Sequence, residues 1–138
     1  MSDSQSDDAP HLRLVRDYLR AIEDEADEAR LAGFFTPDVV QREYPNRLVE
    51  RGAVRDLAAL LAGSRKGRAV VQNQRYVVKS ALVQGERVAL EVTWSARLKV
   101  ALGKLSAGDT MTAESAMFFR IRDGRLAEQH NFDCFEPF

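Results

Sequence analysis

The chain has 138 residues, the length of one domain rather than two, and its 45% hydrophobic and 30% charged residues are those of a folded globular protein. Twenty Lys and Arg against twenty-one Asp and Glu leave a net charge of −1, which gives no field to hold a nucleic-acid backbone or an anionic membrane. One cysteine, Cys134, and two histidines, His11 and His130, exclude an internal disulfide and the common zinc spacings, so no metal is expected.

Residues 1–9 are too polar to bury anything and are expected to form a disordered tail ahead of a single domain over residues 10–138. The acidic start is unlike a secretory signal, and no apolar run approaches the ~18 residues of a membrane span, so a cytoplasmic protein is expected. From His11 onward Leu12, Val15, Leu19 and Ile22 recur at helical intervals and predict an amphipathic helix that ends or bends in the acidic stretch Glu23 to Glu28. Ala29, Leu31, Ala32, Phe34 and Phe35 predict a short second helix stopped at Thr36-Pro37. Val39 and Val40 start a short extended piece, and Gln41 to Leu48 reads as a loop punctuated by Pro45 and Asn46. Gly52 opens a third helix with Val54, Leu57, Leu60 and Leu61 inward, closed by Gly63-Ser64 and Gly67 in a basic turn.

The second half changes period. Residues 69–83, 86–100, 109–122 and 125–135 alternate every second residue and predict four long strands, separated by turns at Gln84-Gly85 and Asp123-Gly124. Helices first and antiparallel strands afterwards predict an α+β fold, with the helices on one face of a bent meander.

Several segments resemble the nuclear transport factor 2-like superfamily and, within it, the SnoaL-like proteins. They are Phe34-Phe35-Thr36-Pro37-Asp38-Val39-Val40, Glu43-Tyr44-Pro45-Asn46-Arg47-Leu48 before Gly52, and Phe119 to Leu126 running into Asn131 to Pro137. The resemblance spans roughly residues 10–138 and implies a cone: helices closing the concave side of a strongly curved antiparallel sheet around one cavity, in a homodimer formed through the sheets. Relatives include polyketide cyclases, ketosteroid isomerases, limonene epoxide hydrolase, dehydratases and binding-only domains, so fold does not give function. Where chemistry occurs, a few polar groups, often an Asp, sit in an apolar pocket.

A two-residue turn at Asp123-Gly124 puts Glu114 opposite Asp133, Ala116 opposite Asn131 and Phe118 opposite Gln129 on one mixed face. If that face lines the cavity, two opposed carboxylates repel and one holds its proton, which makes Asp133 and Glu114 the candidate catalytic pair. The bland alternative places both at a solvated edge. Asn131 is a candidate ligand-binding amide. In the epoxide-hydrolase relatives a pocket Asp stands at the matching position, which argues against that reaction here. His130 shares the other face with Met117, Phe132 and Cys134 and reads first as a core or dimer-interface histidine; a bulge before Asn131 exchanges the faces and brings it into the pocket. Tyr44 is a candidate phenol donor at the cavity mouth, Trp94 and Phe118 are candidate apolar walls, and Cys134 reads as a small buried hydrophobe. Arg65-Lys66-Gly67-Arg68 reads as a solvated turn, and no phosphate loop or dinucleotide fingerprint is present, so no cofactor is expected.

Three readings stay open: a cofactor-independent cyclase, isomerase or dehydratase that moves a proton next to a carbonyl; a module that binds a small apolar molecule unchanged; and a dimeric interaction domain. The expected partners are a small apolar or carbonyl-containing molecule and a second copy of the chain, with neither nucleic acid nor membrane.

Overall fold

The computed structural model describes residues 3–138, with side chains from Pro10 onward. The tail expected over residues 1–9 falls outside the described side chains; from Asp3 its backbone is part of helix α1 (Asp3–Glu23). Val15, Tyr18 and Leu19 of that helix are buried against the sheet, as their spacing predicts. The helix ends where Glu25 takes a positive φ of 55°. Arg68 then donates to the Ala26 carbonyl at 2.9 Å, pinning the turn to the third helix.

Asp27 caps α2 (Glu28–Ala32), its carboxylate accepting from the Arg30 amide at 2.8 Å. The helix stops three residues before the expected Phe35, because the Phe34 carbonyl accepts from the Leu126 amide at 2.8 Å and draws the chain into strand β1 (Phe35–Glu43). That strand absorbs Gln41, Arg42 and Glu43, which polarity alone assigns to a loop. They run parallel to Gln129, His130 and Asn131, and on their other edge pair with β2 (Ala53–Arg55).

Gly52 opens this short strand and not a helix. Its φ is 69°, and a Cβ there would sit 2.6 Å from the Glu43 carbonyl oxygen, so only glycine lets the loop lie this close to β1. Helix α3 (Leu57–Val70) begins instead at Asp56, whose carboxylate accepts from the Ala59 amide at 2.9 Å. Gly63, Ser64 and Gly67 lie inside it rather than ending it. Each glycine costs about 1 kcal/mol against alanine, which the docking of Leu60 and the Arg68 anchor offset.

Strands β3 (Val71–Gln84), β4 (Arg87–Leu98), β5 (Thr110–Arg122) and β6 (Arg125–Phe135) follow the predicted segments closely, with the first hairpin turn one residue later, at Gly85-Glu86. Asp123 and Gly124 both have positive φ, 53° and 72°, as a tight two-residue hairpin requires. The six strands form one open sheet in the order β2-β1-β6-β5-β4-β3, antiparallel except where β1 meets β6. Register shifts within β3–β4, β5–β6 and β1–β6 mark bulges, which bend strands this long into a curl. The result is the cone-shaped α+β fold expected, with helices on the concave side.

Two apolar clusters hold it together. One joins α1, α2 and α3 to Val88, Leu90, Val92, Met117, Phe119, Ile121 and Leu126. The other gathers Val71, Ala96, Leu98, Met111 and Phe138 at the far end of the sheet. A hollow lies between them. Among the described residues, no helix is long and apolar enough to cross a membrane.

Candidate functional site

The hollow has a volume of about 660 Å³ and is bounded by α1, α3, the loop at Leu48-Val49 and the concave wall of the sheet. A smaller lobe of about 180 Å³ adjoins it, sharing Leu48, Gln74, Tyr76, Trp94, Met117 and Asn131. Its remaining walls are Ala113, Ser115, Asp133 and Phe135.

A single extra residue decides which side chains reach this space. At the start of the last hairpin Arg122 pairs with Arg125 and Ile121 with Leu126, as expected, but Arg120 pairs with Glu128, so Ala127 is bulged out of register. From there every β6 side chain changes its β5 partner. Ser115, and not Glu114, faces Asp133; Met117 faces Asn131; Phe119 faces Gln129. The helices cover β5's apolar face, with Met117, Phe119 and Ile121 each 4% exposed or less. The bulge adds Gln129, Asn131 and Asp133 to that face, and with it to the cavity.

The predicted Glu114–Asp133 pair is therefore corrected. Glu114 lies opposite Cys134 on the outer face, bonded to Lys79 and accepting from Thr93 at 3.0 Å. The Lys79 bond, with help from Thr93, holds its carboxyl below the usual glutamate range, so it is a solvated anion outside the cavity. Phe118, His130 and Tyr44 are likewise placed outside. Tyr44 stacks on Phe132 with ring centroids 4.1 Å apart, His130 meets Tyr44 edge-on at 6.0 Å, and Phe118 meets Phe132 edge-on at 5.8 Å. The bulge that was to bring His130 inward occurs, yet His130 stays out because the cavity lies on β5's odd-numbered face. Cys134 is exposed on this outer face and not buried.

Asp133, Asn131 and Trp94 do line the hollow. Ser115 Oγ donates to Asp133 Oδ1 at 2.7 Å. Burial raises the Asp133 pKa above the ordinary aspartate value; the Ser115 bond opposes this and the nearby Glu43 carboxylate adds to it. Among the described residues, no Lys, Arg or His forms an ion pair with Asp133. Asn131 Oδ1 accepts from Gln129 Nε2 at 3.0 Å, while the buried Gln129 Oε1 has no protein partner. The Trp94 indole donates to Gln74 Oε1 at 3.1 Å, which fixes the ring against the wall.

Residues that pattern reading missed complete the site. Tyr76 pairs with Trp94, Trp94 with Ala113 and Ala113 with Phe135, so one rung across four strands carries three aromatic rings. Burial pushes both the Tyr18 and Tyr76 phenols up, so each keeps its proton as a donor at neutral pH. On the β1 side, Arg55 donates to Glu43 at 2.8 Å and to Gln41 at 3.1 Å, and Asn46 Nδ2 donates to the other Glu43 oxygen at 2.8 Å. This ion pair compensates its own charge inside the hollow. The alternation Gln41-x-Glu43, Gln74-x-Tyr76 and Ser115-x-Met117 was the available signal. Among the described residues, no three His, Cys, Asp or Glu side chains are grouped to hold a metal ion.

Such a wall offers one uncompensated carboxyl, the exposed Lys66 ammonium, neutral donors and apolar surface, a combination suited to holding a small, largely apolar molecule. Comparison with known proteins agrees on the scaffold. AclR from Streptomyces galilaeus, a proposed hydroxylase, superposes with a TM-score of 0.77 at 18% identity over 94% of this chain and 82% of its own. IdmH from Streptomyces antibioticus, a proposed polyketide cyclase, gives 0.75 at 19% identity over 89% of this chain and 91% of its own. An LEH-like epoxide hydrolase from M. tuberculosis gives 0.68 at 18% identity over 94% of this chain and 85% of its own. These likenesses establish the fold alone. No curated protein matches the chain. The family model for the SnoaL-like domain matches residues 15–129, from the buried face of α1 through the curved sheet to Gln129, and on that match the chain belongs to the SnoaL-like domain family.

Proposed function

We propose that the cavity binds a small, mostly apolar, carbonyl-containing molecule and moves a proton next to the carbonyl without a cofactor. Asp133 is the acid–base group, and the Tyr76 phenol and Asn131 amide donate to the oxygen as charge develops on it. The observation that carries this reading is Asp133 itself. It is a carboxyl on the concave wall with its pKa raised chiefly by burial and held in one orientation by Ser115. A group moved toward neutrality can both take and return a proton, which an ordinary surface aspartate does poorly. Tyr76 replaces Tyr44 as the phenol in this reading, since Tyr44 is stacked on the outer face.

The test needs no knowledge of the natural substrate. Deuterium exchange into the position next to the carbonyl of a bicyclic ketone such as tetralone reports proton transfer directly. The wild type is expected to accelerate exchange, Asp133→Asn to slow it by about 100-fold or more, and Glu114→Gln to leave it unchanged. Equal exchange by wild type and Asp133→Asn contradicts the reading.

We also propose that the outer face joins two copies of the chain. Phe118 and Phe132 are 47% and 40% exposed there, beside Tyr44 and His130, and a cluster of exposed aromatic rings favours a covered interface. Sedimentation is expected to give a dimer, which Phe132→Glu shifts to monomer; a wild type that sediments as a monomer contradicts it.

A further inference from the structure

The small lobe holds Asp133, Tyr76 and Asn131 of the proton-transfer reading together with two aromatic rings, Trp94 and Phe135, that it does not use. Tyr76, Trp94 and Phe135 stand on one rung of the sheet, and Ala113 between the last two leaves room for their rings to meet at 86° with centroids 6.1 Å apart. Trp94 spends its N–H on Gln74, and its ring lines the lobe beside Phe135. Asp133 lies on the same face two residues from Phe135, ~7 Å along the strand. Among the described residues it is the one carboxylate in the lobe, with no Lys, Arg or His beside it, and no cation pairs with it. An aromatic box closed by an unpaired carboxylate is complementary to a diffuse positive charge: ring faces attract it, and the carboxylate recovers the interaction lost on leaving water.

We infer that this lobe receives a substituted ammonium group of the ligand, with Trp94, Tyr76 and Phe135 around the cation and Asp133 as its counter-ion. The lobe's volume of about 180 Å³ accommodates a methylated ammonium head, while the main hollow takes the apolar body. Apolar amines are thereby added to the carbonyl compounds as a ligand class, one that pairs with Asp133 and is not deprotonated by it. The inference rests on the reading that the cavity takes a small molecule. It agrees with the raised Asp133 pKa, because a cation supplies what burial removed.

The probes are choline and its uncharged carbon isostere, in which a tert-butyl group replaces the trimethylammonium head, titrated calorimetrically into the full chain. Shape and apolar area are the same, so only charge separates them. Choline is expected to bind at least about ten-fold more tightly, and the preference to fall to about three-fold or less in Asp133→Asn. Equal binding of the two probes overturns the ammonium assignment and leaves the cavity reading standing. Binding of neither overturns both. A choline preference that survives undiminished in Asp133→Asn places the cation elsewhere and also overturns it. Should Asp133→Asn fail to fold, the wild-type comparison alone still decides, since a preference below about two-fold overturns the proposal.

Discussion

Asp133 and Glu114 occupy neighbouring strands, one position apart in register, and the sheet between them gives the two carboxyls opposite lives. Glu114 faces outward with Lys79 and Thr93 as partners, and its pKa is lowered. Asp133 faces inward with a serine hydroxyl and aromatic rings for company, and its pKa is raised. Composition and sequence distance do not distinguish them. One bulged residue, Ala127, does, because side chains repeat every second residue and a single insertion moves the whole remainder of β6 to the other face.

The largest effect is expected from inserting one alanine after Glu128. Pairing beyond the insertion slips by one, which turns His130 and Phe132 toward the cavity and Asp133 toward water, and should cost ~4 kcal/mol or more, or abolish cooperative unfolding, in urea titrations. Next come the adjacent phenylalanines of β5. Phe119→Ala should lose about 3–5 kcal/mol, since Phe119 is 2% exposed, whereas Phe118→Ala should stay within about 0.5 kcal/mol at concentrations where the chain is monomeric. Gly52→Ala should cost about 1–3 kcal/mol, through its positive φ and the collision with the Glu43 carbonyl.

The smallest effects are the most diagnostic. Because the folded-state pKa of Asp133 is raised, the native state binds its proton more tightly than the unfolded state, and stability falls as pH rises from the ordinary aspartate value through the folded one. Asp133→Asn should therefore raise Tm at pH 7, with the gain vanishing below about pH 4. Glu114→Gln should act in the opposite sense. Its carboxylate contributes stability above the ordinary glutamate range, and that is lost as pH falls through the lowered value. Thermal scans of both variants across pH check the pair of signs.

Much of the architecture was legible. The helical spacing of Val15 and Leu19, the β alternation after residue 70 and the Asp123-Gly124 turn each follow from local geometry. What escaped was polar on an inward face. Gln41 and Glu43 read as loop because strand recognition assumes an apolar inner side, and a strand that lines a hollow breaks that rule. The Ala127 bulge escaped because only the adjacent buried pair Leu126-Ala127, where alternation asks for one polar residue, betrays it. The site was half visible for the same reason. Asp133, Asn131 and Trp94 were found from their strands, while Glu114, Phe118 and His130 were assigned to the wrong side by one residue of register, and Tyr44, just past β1, is drawn out by its stacking on Phe132.

The central claim is that β6 delivers a desolvated carboxyl into the cavity while β5 keeps its neighbour in water. Carbon-detected NMR titration of the Asp133 and Glu114 side-chain carboxyls in one wild-type sample tests it most directly. The account predicts that Asp133 titrates above the ordinary aspartate value of about 3.9 and Glu114 below the ordinary glutamate value of about 4.3. An Asp133 that titrates at or below its ordinary value would contradict it.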